Sequence, residues 1–205
     1  MVITLCLSCS LTVFEVIFFP VVYVLDPTRW LYHQLLFLVA RVSMWPFFKV
    51  ELRGMENFPE GGCVLACNHQ SLLDAYILSH ITSPHYKSTF KRELLFYPGV
   101  GTVMACAGHL WVRRGDRTSG QRLMRRSEAN VKRGVSMLFF PEGTRKIDPA
   151  QGLGDFKAGA FKVATATNAP IVPMTISGAR TLMPPKGLPR LGWGTPVVTI
   201  HKPIQ

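Results

Sequence analysis

Cys63-Val64-Leu65-Ala66-Cys67-Asn68-His69-Gln70-Ser71-Leu72-Leu73-Asp74 is a short apolar run that turns abruptly into a polar motif. A run with no polar alternate predicts a strand buried on both faces, the kind found inside an α/β sheet. Ser71 followed by Asp74 is a capping-box pattern, so a helix is expected to start at Ser71 and continue through Leu73, Ala75, Ile77 and Leu78. His69 then falls on the turn before that helix, and a carboxylate in the first helical turn is able to point back at its ring. A carboxylate bonded to one imidazole nitrogen fixes the tautomer, leaves the other nitrogen to accept a proton, and stabilises the imidazolium that forms. Taken alone this spacing is common by chance, with Asp74 a mere cap and His69 an ordinary loop residue.

The rest of the chain repeats the pattern. Leu110-Trp111-Val112 runs into Arg113-Arg114-Gly115, and Val135 to Phe140 runs into Pro141-Glu142-Gly143-Thr144-Arg145. Pro170 to Ile176 ends at Ser177-Gly178, and Val197 to Ile200 is also strand-like. Between them Thr118 to Arg133 has helical character, with Gly134 as its expected C-cap. Short apolar runs alternating with helical patterns predict an α/β fold with a largely parallel sheet flanked by helices. Parallel strands put their carboxyl ends on one edge, where ligands of open α/β sheets bind. The polar motifs are thus expected to meet in one cleft. Strand alternation puts Leu110, Val112 and Arg114 on one face and Trp111 and Arg113 on the other, so Arg113 is expected to face solvent or lipid.

Charge and hydropathy point to a lipid surface. The chain has 205 residues and a formal net charge of +11, and between Lys87 and Lys146 there are 13 basic and 4 acidic residues. A field of that sign suits anionic lipids and phosphate-bearing substrates, and charge alone does not separate these from nucleic acid. The amino-terminal stretch separates them. From Met1 to Leu25 the only charged side chain is Glu15, and Trp30 to Phe48 is a second apolar stretch with aromatic residues near its ends. Such segments read as an interfacial helix, as half of a helical hairpin dipping into one leaflet, or as a spanning helix. A cleaved signal peptide is not expected, because no basic segment precedes the apolar run. Residues 1–50 are therefore assigned to a membrane-anchoring segment and 51–205 to one globular domain. The five cysteines form no regular framework; Cys63 and Cys67 read as small buried core residues, so no metal site is expected.

In order along the chain, Asn68 to Asp74, Gly108 to Arg114, Glu142 to Arg145, and Pro170 to Pro173 resemble the four blocks of the lysophosphatidic acid acyltransferases. Lesser matches are Lys91-Arg92-Glu93-Leu94 and Phe156 to Phe161. Leu25-Asp26-Pro27, Trp45 to Phe48, and the ending His201-Lys202-Pro203-Ile204 make the likeness nearest to the plastid and cyanobacterial type. The resemblance implies a glycerol-3-phosphate acyltransferase-like fold behind a helical membrane anchor, with a membrane location in plastids or another intracellular or bacterial inner membrane. It also implies that the chain acylates the 2-hydroxyl of 1-acyl-glycerol 3-phosphate, with no acyl-enzyme. The implied donor is acyl-CoA or acyl-carrier protein, a co-substrate rather than a cofactor; the other partner is membrane lipid, and nucleic acid is not one.

By the same resemblance His69 is the general base and Asp74 its orienting partner. Arg114, Arg145 and Lys91 are expected to bind the acceptor phosphate, for which guanidinium forks are well suited. Asn68, Glu142, Gly143 and Thr144 are expected to position substrate, Glu142 by holding either the acceptor or the Arg145 loop. A hydrolase using water in place of the alcohol is the rival chemistry, and the sequence has no Gly-x-Ser-x-Gly elbow to support it. A binding module without chemistry does not account for His69, Asp74, Glu142 and Arg145 together.

Overall fold

Alternate side chains of the central strands enter two different cores, one on each face of the sheet, which divides the molecule into three layers. The computed structural model describes residues 20, 24–26, 28–96, 101–145, 152–184 and 192–205. The strands are β1 (Glu51–Arg53), β2 (Val64–Cys67), β3 (Tyr86–Lys91), β4 (Leu110–Val112), β5 (Ser136–Phe139), β6 (Ile171–Ser177) and β7 (Val197–Ile200). The helices are α1 (Trp30–Met44), α2 (Asp74–Leu78), α3 (Gly101–Cys106), α4 (Arg117–Lys132), α5 (Gly159–Thr167) and α6 (Ala179–Leu182). Seven strands lie in the order β1-β7-β6-β2-β5-β3-β4. Every neighbouring pair is parallel except β6 and β7. The predicted α/β class and largely parallel sheet are what the chain forms.

Leu65 and Cys67 of β2 and Leu138 of β5 point into one core with Phe37, Met44, Leu73, Ile77 and Leu182, on the side of α1, α2 and α6. Val64, Met137 and Phe139 point the opposite way, into a second core with Val131 of α4 and Ala160 and Val163 of α5. This period of two with both faces covered explains why the central strands are apolar without a break. Helix α4 begins where Asp116 caps it, its carboxylate accepting the Ser119 N–H at 3.0 Å, and Gly134 follows its end at φ 79°.

Most of the amino-terminal apolar segment predicted as an anchor lies outside the described residues. Among those described, no helix is long and apolar enough to cross a membrane. The second apolar stretch does form a helix, α1, and its inner face shares a core with the sheet: Phe37 and Met44, with Phe48 just beyond it, are buried against the strands. Leu31, Leu38, Val42 and Trp45 are exposed. At 100° per residue these four fall on one stripe, opposite the buried His33, Phe37 and Met44.

Candidate active site

The turn between β2 and α2 is built around one carboxylate oxygen. Asp74 Oδ2 accepts from His69 Nδ1 at 2.7 Å, from the Gln70 N–H at 2.7 Å and from the Ser71 N–H at 3.0 Å. The carboxylate thus reaches back as its spacing predicted, and the capping box is realised from its acidic end. The helix itself starts at Asp74 rather than Ser71. Ser71 Oγ donates to the Met183 carbonyl at 2.8 Å and accepts from the Leu73 N–H at 3.3 Å, which holds residues 71–73 as a turn outside the helical ladder. Asp74 is buried, whereas the His69 side chain keeps 24% of its surface exposed.

Further contacts set the ring. Phe140, immediately after β5, stacks on His69 with centroids 4.2 Å apart and an interplanar angle of 20°. Asn68 uses both ends of its amide on one residue of β6: Oδ1 accepts the Ile176 N–H at 2.7 Å and Nδ2 donates to the Ile176 carbonyl at 3.0 Å. This extends the β2–β6 ladder by one side chain and fixes the entry to the His69 turn. Since Asn68 spends its amide on backbone, its geometry is that of a residue that positions His69.

Glu142 is buried, and its Oε1 accepts the His69 N–H at 3.1 Å while Oε2 accepts the Gly154 N–H at 3.0 Å. The two expectations for Glu142 were the acceptor and the Arg145 loop; its observed partners are the His69 turn and the segment near Gly154. Gly143 follows with φ 66°, closing a turn in which its N–H bonds the Phe140 carbonyl at 2.9 Å. The Lys157 side chain lies over Gly143, so a Cβ built there would meet Nζ at 2.6 Å. The guanidinium of Arg114 donates to the Gly143 carbonyl, so the second and third sequence blocks meet, as parallel strand ends require.

His69, Asp74, Glu142, Gly143 and Arg114 are therefore linked by direct bonds. Lys91 is exposed and lies 3.7 Å from Glu93, while Thr144 is exposed and Arg145 half-buried two residues past Gly143. Among the described residues no hydrogen bond or ion pair ties Lys91, Thr144 or Arg145 to His69. Phe140 and Lys157 were not singled out as site residues from sequence, although Phe140 ends an apolar run and Lys157 lies within a family-like segment. Among the described residues, no group of three or more His, Cys, Asp or Glu side chains is placed to hold a metal ion.

This geometry lies within residues 49–177, the part of the chain that matches the acyltransferase family. A chloroplastic 1-acyl-sn-glycerol-3-phosphate acyltransferase of Brassica napus is 38% identical over 188 residues, covering 90% of this chain and 54% of the relative. Its counterpart in Arabidopsis thaliana is 37% identical, covering 95% of this chain and 55% of the relative. A 1-acyl-sn-glycerol-3-phosphate acyltransferase of Chlamydomonas reinhardtii is 35% identical, covering 97% and 60%. The chain thus spans a little over half the length of these relatives. In fold it is similar to the crystal structure of the 1-acyl-sn-glycerophosphate acyltransferase of Thermotoga maritima, with TM-score 0.69, 24% identity, and coverage of 98% of this chain and 85% of that one. Since the matched region runs from just before β1 to the end of β6 and contains all four blocks, three of them reaching the carboxyl ends of their strands and the fourth opening β6, the chain belongs to the acyltransferase family.

Proposed function

We propose that this chain moves an acyl group from an acyl thioester to the 2-hydroxyl of 1-acyl-glycerol 3-phosphate, making phosphatidic acid for glycerolipid synthesis. The observation that carries the reading is the 2.7 Å bond from His69 Nδ1 to the buried Asp74 carboxylate, on a ring still open to solvent. An ionised carboxylate only accepts, so Nδ1 carries the proton and Nε2 presents its lone pair. Nε2 takes the hydroxyl proton as the alcohol oxygen bonds to the thioester carbonyl carbon. The C–S bond then breaks, and the imidazolium returns its proton to the departing thiolate. General-base assistance of this kind contributes about 10²- to 10⁴-fold in rate.

The acceptor phosphate is assigned to Arg114, Arg145 and Lys91. Arg114 already spans from β4 to the third-block turn, which supports a role in holding that turn closed on a bound phosphate. Asn68, Glu142, Gly143 and Thr144 are assigned to positioning. The exposed stripe Leu31, Leu38, Val42 and Trp45 supports contact with lipid, and the assigned location is a membrane, of the plastid type in view of the chloroplastic relatives. The donor is an acyl-CoA or an acyl-carrier protein.

The deciding experiment is a donor-by-acceptor matrix on purified protein, with free thiol as the readout. Thiol release that requires both lysophosphatidic acid and thioester supports transfer. Release independent of the acceptor identifies a hydrolase instead, and acceptance of glycerol 3-phosphate or another lysophospholipid in its place reassigns the acceptor.

A further inference from the structure

On its way to α5 the chain doubles back over the third-block turn, and two backbone donors clamp it there. The Gly154 N–H bonds Glu142 Oε2 at 3.0 Å, and the Lys157 N–H bonds the Pro141 carbonyl at 2.9 Å. Lys157 is thus fixed by its own backbone at the turn that carries Glu142 and Gly143. Its stem lies across the Gly143 Cα: a Cβ built there would meet Nζ at 2.6 Å, Cε at 2.8 Å and Cδ at 3.0 Å. Gly143 therefore has two reasons to be glycine, its φ of 66° and a lysine lying where its side chain would be. The Arg114 guanidinium reaches the same residue at its carbonyl. Two cations from separate parts of the chain meet on one glycine.

Among the described residues neither cation has a carboxylate partner, the ion pairs being Arg53 with Glu51, His69 with Asp74 and Lys91 with Glu93. Glu142 spends its two oxygens on the N–H groups of His69 and Gly154. Like charges held on one turn repel, and an anion between them turns that repulsion into attraction. The same turn also sets the reacting ring. Glu142 accepts the His69 N–H at 3.1 Å, and Phe140, whose carbonyl accepts the Gly143 N–H, stacks on His69 with centroids 4.2 Å apart. We propose that Lys157 is a further binding residue for the acceptor, its ammonium holding the phosphate of 1-acyl-glycerol 3-phosphate beside Arg114. The assignment rests on the acceptor proposed above. An exposed ammonium on a flexible stem is a point charge with three donors, and it complements a guanidinium fork already partly committed to a carbonyl. Lys91 by contrast lies 3.7 Å from Glu93, a carboxylate that competes with phosphate for it.

The test compares the full chain with Lys157→Met, which keeps the stem over Gly143 and removes the charge, with Lys157→Arg, and with Lys162→Met. Lys162 is exposed on α5 and serves as a control for loss of general positive field. In mixed micelles with palmitoyl-CoA as donor, Lys157→Met is expected to raise KM for lysophosphatidic acid about tenfold, with kcat and donor KM within about twofold and the thermal midpoint unmoved. Lys157→Arg should keep the acceptor KM within about threefold, and Lys162→Met within about twofold. Titration calorimetry with 1-hexanoyl-glycerol 3-phosphate and no donor should show the same weakening of Kd in Lys157→Met. Wild type that binds this acceptor but releases no thiol would overturn the transfer reading alone. An acceptor KM and Kd unchanged in Lys157→Met would overturn the Lys157 assignment alone. An equal rise in donor and acceptor KM, or an equal shift in Lys162→Met, would overturn it too, as would a lower kcat and midpoint with KM unchanged, which would leave Lys157 as a cover for Gly143.

Discussion

Glu142 joins the third sequence block to the backbone of the first, its Oε1 accepting the His69 N–H at 3.1 Å while Oε2 holds the Gly154 N–H at 3.0 Å. Both oxygens are used, and the side chain is buried. Glu142→Gln keeps the shape but turns one end into a donor facing another N–H. We expect a stability loss of about 1–3 kcal/mol from that unsatisfied pair. Displacement of the His69 turn should lower kcat by about 10²-fold, with KM for either substrate little changed. A denaturation midpoint and kcat both matching wild type would remove Glu142 as the brace of the site.

Asp74→Asn tests the charge of the dyad apart from its shape. The amide oxygen still accepts from Gln70 and Ser71, so the turn is retained, while the negative charge proposed to stabilise the imidazolium is gone. The expected result is a fall in kcat of about 10²- to 10⁴-fold with the fold intact by circular dichroism. His69→Ala should reach the same floor, and the double variant should be no worse than either single one. Additive losses would show the two residues acting separately.

The proposed phosphate assignment predicts that the arginines divide by substrate. Arg145→Ala is expected to raise KM for lysophosphatidic acid about tenfold or more while leaving the donor KM nearly unchanged. Arg114→Ala, which also frees the Gly143 carbonyl from its partner, should lower kcat as well. Equal losses toward donor and acceptor for Arg145→Ala would contradict its assignment to the acceptor phosphate.

Five of the seven strands among the described residues were legible as short apolar runs, of which β2 and β5 are covered on both faces. β3 was hidden by its own residues, Tyr86-Lys87-Ser88-Thr89-Phe90-Lys91, which look too polar for an inner strand. Lys87 is nevertheless buried, its ammonium donating to the Arg29 carbonyl at 3.3 Å. The His69 and Asp74 pair was legible because both partners lie within one turn of chain. Glu142 was found as a residue but not as a brace, since its partner is a backbone N–H far away in sequence. The stacking of Phe140 on His69 and the gathering of His33, His85 and His109 left no spacing to read, for sheet order brings the first pair together and the packing of α1 against the sheet brings His33 to the other two.

The outer stripe of α1 is where the proposed lipid contact is expected. Leu38 and Val42 are 49% and 64% exposed and lie one turn apart. Leu38→Glu/Val42→Glu is expected to weaken binding to phospholipid vesicles about tenfold or more, since burying one such side chain contributes about 1.5–3 kcal/mol. The inner face of the helix is untouched, so the thermal midpoint should not move. Unchanged sedimentation with vesicles would assign membrane contact to another part of the chain.

A buried basic cluster under α1 predicts a pH dependence of stability. The His33 ring has neither nitrogen hydrogen-bonded and lies 5.2 Å from both His85 and His109, centroid to centroid, with Tyr86 at 5.4 Å. Burial, and then the neighbouring His109, Lys87 and His85, push His33 well below its ordinary range. Burial with Lys87 and His85 does the same to His109. His85 is pushed down to about 4 by burial and then Lys87, with Asp26 opposing, and Lys87 to about 7 by burial and Arg29, with Asp26 again opposing. Each group therefore holds fewer protons folded than unfolded, so stability rises with pH. The window for His85 is pH 4 to 6.5, and that for Lys87 is pH 7 to 10.5. Thermal midpoints should fall as pH drops from 6.5 toward 4, with the loss concentrated where α1 meets β3 in hydrogen exchange. Lys87→Met should raise the midpoint at pH 7 and flatten the slope above it, because the Arg29 carbonyl keeps the His33 N–H at 3.1 Å. A wild-type midpoint that stays flat from pH 7 to 10, or a Lys87→Met variant with the same slope as wild type, would show that this ammonium is solvated.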